Sequence, residues 1–278
     1  MFHPTLQCFL AVCEGCGTAR SVFPEGRGES FYDEGYYDYD VSRPRWKQLL
    51  KRALWRMPGA SKWFPIIPPS KPGRVLEIGC GYGQYLNQLK PLGWETYGTE
   101  IYPKAVEFAR KQHNICLASE ANFPEHFFDW ITLDNVLEHI SDPTLLLLDI
   151  RHWLRPDGVL TVCVPHFGGI DSKFWGPHWW ALMPPHHEYH YTGEGLRRLL
   201  ADAGFDCELT YQLGFDEKRS AEYRGSDQGV LWLKLRKVAR LLFAPKISSE
   251  YGYFVTAIAR LSTPSDPTAT PYLEIERR

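Results

Sequence analysis

Three glycines and two carboxylates make the first cluster in this chain whose types and spacing could do chemistry. Gly79, Gly81 and Gly83 punctuate Val75-Leu76-Glu77-Ile78-Gly79-Cys80-Gly81-Tyr82-Gly83, an apolar run that breaks into a turn. Glycines so placed let the backbone turn tightly and approach a ligand closely. The phase is wrong for a dinucleotide fingerprint, since Gln84 stands five residues after Gly79 and Leu86 five after Gly81. No Gly-Lys-Ser/Thr follows, which removes a phosphate-cradling loop. Glu77 would repel a pyrophosphate and suits a cationic ligand. Glu100, 21 residues beyond Gly79, ends the next strand candidate, where a carboxylate can accept bonds from both ribose hydroxyls. Together these residues describe a nucleoside site that avoids phosphate and tolerates positive charge.

A second concentration lies at 166–191, where His166, His178, His186, His187 and His190 sit among Phe174, Trp175, Trp179, Trp180, Tyr189 and Tyr191. Such density fits a substrate pocket with flat apolar walls and a group that titrates near neutrality. The competing expectation is a packed lid whose aromatics close the core and whose histidines are solvated. A third cluster, Cys8, Cys13 and Cys16, includes a Cys-x-x-Cys-Gly that points to metal rather than to a disulfide. Three thiolates fall short of the four ligands of a structural zinc, even with His3 as a candidate fourth, so a degenerate, metal-free knuckle is expected. Cys80, Cys116, Cys163 and Cys207 are isolated and read as small buried hydrophobes.

These residues need a scaffold that brings them to one edge. The 278 residues carry 31 Lys+Arg against 33 Asp+Glu, a net charge of −2, so no global basic field draws in nucleic acid. No apolar run is long enough to span a membrane, and residues 1–16 lack a charged region followed by an apolar stretch. The expected location is cytoplasmic. From Arg74, strand candidates at 74–79, 95–99, 114–117, 130–134 and 159–164 alternate with helices at 82–89, 103–112 and 143–154. Pro103 and Pro143 suit first helical turns, while Asp142 and Thr192 resemble N-caps. A helix at 195–203 and strands at 205–212 and 251–261 follow. The alternation predicts an α/β fold with a mostly parallel, doubly wound sheet. The expected organisation is a small Cys-rich N-terminal appendage at 1–40, then a helix (45–57) and Pro-rich linker at 41–73. The main domain follows at 74–261, with a helical insertion at 213–250, and a disordered tail at 262–278. Leu231, Leu235, Val238 and Leu242 form an apolar stripe beside Lys234, Lys237 and Arg240, expected to cap the domain or a partner rather than a membrane.

Residues 75–86 resemble motif I of class I S-adenosylmethionine-dependent methyltransferases. Tyr97-Gly98-Thr99-Glu100 is similar to their ribose-binding strand, and 128–143 to their fourth strand and following loop. Leu154-Arg155-Pro156-Asp157-Gly158-Val159-Leu160 resembles the turn before strand five. The knuckle, Trp179-Trp180, Pro184-Pro185-His186-His187 and Ala203-Gly204-Phe205 resemble the branch that includes many sugar and secondary-metabolite enzymes. The resemblance implies a seven-stranded Rossmann-like sheet and S-adenosylmethionine held by Glu77, Gly79, Cys80, Gly81, Glu100, Ile101, Asp134 and Asn135, with Glu120 near the adenine. In some relatives, ubiquinone-biosynthesis and small-RNA 2′-O-methyltransferases, Glu-x-x-Glu-His holds a divalent metal. Asn135 replaces the first glutamate here, so Glu138 and His139 are expected to hydrogen-bond locally and no metal is expected. His187, which matches the histidine of the family's Pro-x-His pattern, is the first candidate base or orienter, and His190 the second. The implied activity is methyl transfer to a small-molecule hydroxyl or carbon, with no nucleic-acid partner. An RNA or nucleotide methyltransferase and a non-catalytic cofactor-binding partner protein are the alternatives.

Overall fold

The computed structural model describes residues 2–3, 8–23, 66–183, 186–212 and 252–262. The helix expected at 45–57, the insertion at 213–250 with its 231–242 stripe, and the tail from 263 lie outside the described residues.

Side chains alternate across a strand, so consecutive apolar residues serve opposite faces of a sheet. In β4 (Arg74–Ile78), Val75 joins one core cluster with Trp130 and Cys163, while Leu76 joins another with Ile131 and Leu160. Both faces must therefore be covered. The first is packed by Leu86 and Leu89 of α1 (Leu86–Leu89) and by Val106 and Ala109 of α2 (Pro103–Ala109). The second is packed by Leu147, Ile150 and Trp153 of α3 (Pro143–Trp153).

The remaining strands of this sheet are β5 (Glu95–Glu100), β6 (Asn114–Leu117), β7 (Phe128–Asp134), β8 (Leu154–Pro165), β10 (Phe205–Gln212) and β11 (Phe254–Leu261). Their order is β10-β11-β8-β7-β4-β5-β6. Pairings among β4 to β8 are parallel, and β11 is antiparallel to both neighbours. The chain steps from β4 outward to β6 and then returns to the other side of β4 at β7. That reversal opens a crevice at the carboxyl ends of β4 and β7, where doubly wound sheets bind ligands.

Two expected N-caps are in place: the Asp142 side chain accepts from Leu145 N–H at 2.9 Å, and Thr192 Oγ1 from Gly195 N–H at 3.0 Å. Thr192 opens α5 (Gly193–Asp202), the helix after α4 (Ile170–Trp175). Helix α1 starts at Leu86 rather than at Tyr82, because 81–85 remain in turns and Gly81 and Gly83 have positive φ. Strand β8 starts at Leu154 rather than at Val159. It pairs Phe128 with Leu154, bulges through Arg155-Pro156-Asp157-Gly158, and resumes at Val159 opposite Trp130.

The N-terminal strands β1 (Phe2–His3), β2 (Cys8–Val12) and β3 (Ala19–Val22) do not stand apart. With β9 (Tyr189–His190) they form a second sheet ordered β1-β2-β3-β9. Cys8 opens β2 and Cys13 follows its last residue, about 16 Å away at ~3.3 Å per residue, so Cys8 cannot join Cys13 and Cys16 around one ion. No helix among the described residues is long and apolar enough to cross a membrane.

Candidate functional site

The cofactor candidates gather at the crevice. Gly79 has φ 69°, and a Cβ there would stand 2.5 Å from Val136 Cγ2, so glycine is required where the turn passes under the β7 loop. Gly81 also has positive φ, but a Cβ on it would meet nothing within 4 Å, so its backbone faces open space. Glu100 ends β5 only 4% exposed. Its Oε2 accepts Gly81 N–H at 2.8 Å, and its Oε1 accepts the N–H groups of Ile101 and Tyr102 at 2.7 and 3.1 Å. The carboxylate thus fixes the glycine turn as well as ending the strand. Ile101 beside it is an exposed apolar side chain, suited to cover a flat ring. Glu77 and Cys80 are buried under the turn, and burial followed by the charges of Glu77 and Glu100 pushes the Cys80 thiol far up.

Asp134 and Asn135 close the crevice from β7. Asn135 takes φ 55°, a left-handed conformation that asparagine tolerates, and its amide donates to Asp134 Oδ1 at 2.8 Å. Glu120 lies farther out, in the turn after β6, and accepts Leu117 N–H at 3.4 Å. It borders a cavity of about 370 Å³ on the flank of α2, lined also by Pro103, Val106, Arg110 and Lys111. That cavity is not the crevice at the glycine turn; of the cofactor candidates it touches Glu120 alone.

On the other side of the edge, the tryptophans of 166–191 pack rather than line an open pocket. Trp175, Trp179 and Trp180 are each at most 6% exposed and share a core cluster with Leu10 and Ala19 of the N-terminal strands. The histidines are not solvated either: His166, His187 and His190 are buried. The side chain of His178 lies outside what is described. His187 Nδ1 is 2.7 Å from Ala181 O, and His139 Nδ1 is 2.9 Å from His186 O. A carbonyl can only accept, so each ring carries a proton on Nδ1, and His187, kept neutral by burial, presents Nε2 as a lone pair. The two rings meet edge to face, with centroids 4.6 Å apart.

Burial, reinforced by His139 and His190, holds the His187 imidazole well below its ordinary range, and burial takes His190 down to about 3. A group titrating near 6–7, expected from composition, is therefore replaced by imidazoles that stay neutral. Glu138 departs from expectation more sharply. It is 1% exposed, neither carboxylate oxygen finds a hydrogen-bond partner on another residue, and burial raises its pKa to about 8. The expected local bonding is not what is found: His139 bonds His186 O, 47 residues along the chain, and neither carboxylate oxygen of Glu138 is bonded. Glu138, His139 and His187 offer ligand atoms within 4.8 Å of one another. Sequence reasoning missed this trio because a loop glutamate is usually solvated, and nothing in the spacing brings His187 to it.

The fold has known counterparts. The family model described as a methyltransferase domain matches residues 42–210. An uncharacterized methyltransferase of Schizosaccharomyces pombe is 26% identical over 145 residues, 45% of this chain and 50% of that protein. A ubiquinone biosynthesis O-methyltransferase of Actinobacillus pleuropneumoniae is 29% identical over 101 residues, 31% of this chain and 43% of that protein. The chain thus spans about half the length of the curated relatives it matches. Among solved structures, a SAM-dependent methyltransferase from Archaeoglobus fulgidus superposes with a TM-score of 0.50 at 18% identity, covering 77% of this chain and 93% of the other. A Haloferax volcanii methyltransferase solved with its Trm112 activator gives 0.50 at 17%, covering 78% and 90%. With 61% of its length inside the family's boundaries, the chain belongs to the methyltransferase-domain family and carries a domain of the S-adenosylmethionine-dependent class.

Proposed function

We propose that the chain transfers the methyl group of S-adenosylmethionine to a hydroxyl or carbon acid of a small molecule, with His187 receiving the acceptor's proton. The observation that carries this reading is the locked tautomer of His187. Its Nδ1–H is committed to Ala181 O, so Nε2 is a neutral acceptor beside His139. The acceptor oxygen or carbon forms a bond to the methyl carbon as the carbon–sulfur bond breaks, and sulfur keeps that electron pair. The acceptor's proton passes to Nε2, and S-adenosylhomocysteine leaves. The sulfonium is already a good leaving group, so the protein's contribution is alignment, exclusion of water and proton removal. His190 stands behind His187, with ring centroids 6.4 Å apart, and orients the segment. The net charge of −2 favours a small acceptor over a polyanion, and relatives named for ubiquinone biosynthesis O-methylation are in keeping with it.

A second reading, a divalent cation on Glu138, His139 and His187, is favoured by the buried carboxylate without a partner. Both histidines anchor Nδ1–H on a backbone carbonyl, as metal-binding imidazoles do. A cation there would lower the pKa of a bound acceptor hydroxyl. It competes with the expectation of no metal drawn from Asn135. One experiment separates the two: methyl-labelled S-adenosylmethionine is incubated with a metabolite extract, with and without EDTA. Label transfer that survives chelation supports His187 as the base. Loss on chelation, restored by Mg²⁺ or Mn²⁺, supports the cation. No transfer into any metabolite fraction counts against a small-molecule acceptor.

A further inference from the structure

The N-terminal hairpin reaches the acceptor side of the domain across 166 residues of sequence. Strand β3 pairs antiparallel with β9, placing Ala19 opposite His190 and Arg20 opposite Tyr189. Ser21, the next residue, is buried, and its Oγ lies 3.1 Å from His187 O and 2.9 Å from His190 Nε2. A serine hydroxyl has one proton to give. The His187 carbonyl can only accept, so the hydroxyl proton goes there. Ser21 Oγ must then accept from His190, which places that ring's proton on Nε2 and leaves Nδ1 bare. His190 is thereby held in the opposite tautomer to His187. Burial keeps it neutral, so the choice of tautomer stays meaningful across the working pH range.

The same strand grips the segment from two more sides. Ser21 N–H donates to Glu188 O at 2.9 Å, and the Arg20 guanidinium meets the Glu188 carboxylate at 2.6 Å. The other Glu188 oxygen takes the Ser141 hydroxyl at 2.7 Å, and Glu188 N–H donates to Glu138 O at 2.8 Å. The turn carrying Glu138 and His139 and the turn carrying His187 are therefore tied to one hairpin. Backbone pairing alone would hold β3 against β9. The Ser21 hydroxyl adds something different, because its two bonds end on the two histidines proposed for the acceptor site.

We propose that Ser21 is a positioning residue of the methyl-acceptor site: it fixes His190 as the Nε2–H tautomer and pins the peptide that carries His187. This rests on the reading of the histidine segment as the acceptor site. Without the hydroxyl, His190 Nε2–H loses its acceptor inside the protein, and the ring is free to move its proton to Nδ1.

The test reads the tautomer directly. The full chain, labelled with ¹⁵N-histidine and bound to S-adenosylhomocysteine, is compared by NMR with its Ser21→Ala and Ser21→Thr variants; His190→Gln identifies the His190 signals. The wild type shows a single Nε2–H tautomer, Ser21→Thr keeps it, and Ser21→Ala shows a mixture or a switch to Nδ1–H. Should Ser21→Ala misfold, Ser21→Cys keeps the volume with a weak acceptor and must show the same loss. A wild-type Nδ1–H signal, or an unchanged tautomer without the hydroxyl, overturns the proposal. Label transfer into the metabolite extract falls at least about tenfold in Ser21→Ala and returns in Ser21→Thr. Full transfer in Ser21→Ala also overturns the positioning role. Absence of transfer in the wild type sinks the small-molecule reading instead, while the tautomer still decides the fate of Ser21.

Discussion

The two sides of the carboxyl edge are held by opposite means. On the cofactor side the contacts are local: Glu100 grips the Gly81 amide across 19 residues, and Asn135 bonds to its neighbour Asp134. On the side of the proposed acceptor site they are long: Ser21 reaches His187 across 166 residues, and Thr192 reaches Cys16 across 176. A turn built from backbone and one carboxylate can serve a cofactor shared by many enzymes. An acceptor site assembled from distant segments can change with those segments while the turn stays fixed.

The comparison breaks most visibly at His187. His187→Ala should leave S-adenosylmethionine affinity near the wild-type value while kcat falls by about 10²–10⁴, the usual loss of a positioned base. Because burial keeps His187 neutral, wild-type kcat should not rise between about pH 6 and 7. A kcat that climbs through that interval would show the base to be a solvated imidazole, and full turnover in the variant would make His187 structural.

The reciprocal cut is Glu100→Ala. It removes the acceptor of three backbone amides and, if Glu100 also holds the ribose as the sequence leads one to expect, should weaken S-adenosylmethionine binding by roughly 1.5–3 kcal/mol. The histidine signals of His187 and His190 should stay where they are. Calorimetry showing undiminished binding would mean that the carboxylate serves the turn alone. Movement of those signals would mean that the two sides are coupled.

Acid should act on both sides at once. His113 buttresses the cofactor side, with Nδ1 on Thr96 Oγ1 and Nε2 on Asn87 Oδ1, while His166 on the acceptor side bonds Gly252 O. Burial lowers each to about 4. A folded pKa below the unfolded 6.5 means stability that is fully present above about pH 6.5 and is lost as pH falls toward 4. The slope is at most about 1.4 kcal/mol per pH unit for each histidine, and smaller for His113, which water partly reaches. Denaturant midpoints measured from about pH 7 down to about pH 5 should fall steadily. A flat profile would show that these imidazoles are not buried as neutral groups.

What could be read from the sequence follows the same division. The glycine turn, Glu100 and the Asp142 and Thr192 caps were legible because each is a local pattern with one backbone solution. The length of α1 was overread, since apolar spacing continues through Tyr82 and Tyr85 while Gly81 and Gly83 keep the backbone in turns. Strand β9 is two residues long and has no periodicity to detect, so its pairing with β3 left no signal. The burial of Glu138 was equally silent. Its type predicts solvent, and tertiary packing from β9 and the 186–188 turn decides otherwise.

The finest test of the comparison sets two helix caps side by side. Asp142 accepts one amide, Leu145 N–H, and does nothing else that bears on the hairpin, so Asp142→Ala should cost about 1 kcal/mol. Thr192 accepts Gly195 N–H in the same way, but its hydroxyl also donates to Cys16 O at 2.6 Å, and its N–H meets Thr18 Oγ1 at 3.4 Å. Thr192→Ala therefore removes a cap and leaves the Cys16 carbonyl without its donor, which adds about 1 kcal/mol more. Thr192→Ser keeps both bonds and should recover most of the difference. In urea titrations the order of midpoints should be wild type, Thr192→Ser, Asp142→Ala, then Thr192→Ala. If the two alanine variants unfold together, the hairpin contributes nothing through Thr192. The weld between the N-terminal hairpin and the histidine segment would then rest on the β3–β9 pairing, Ser21 and Arg20.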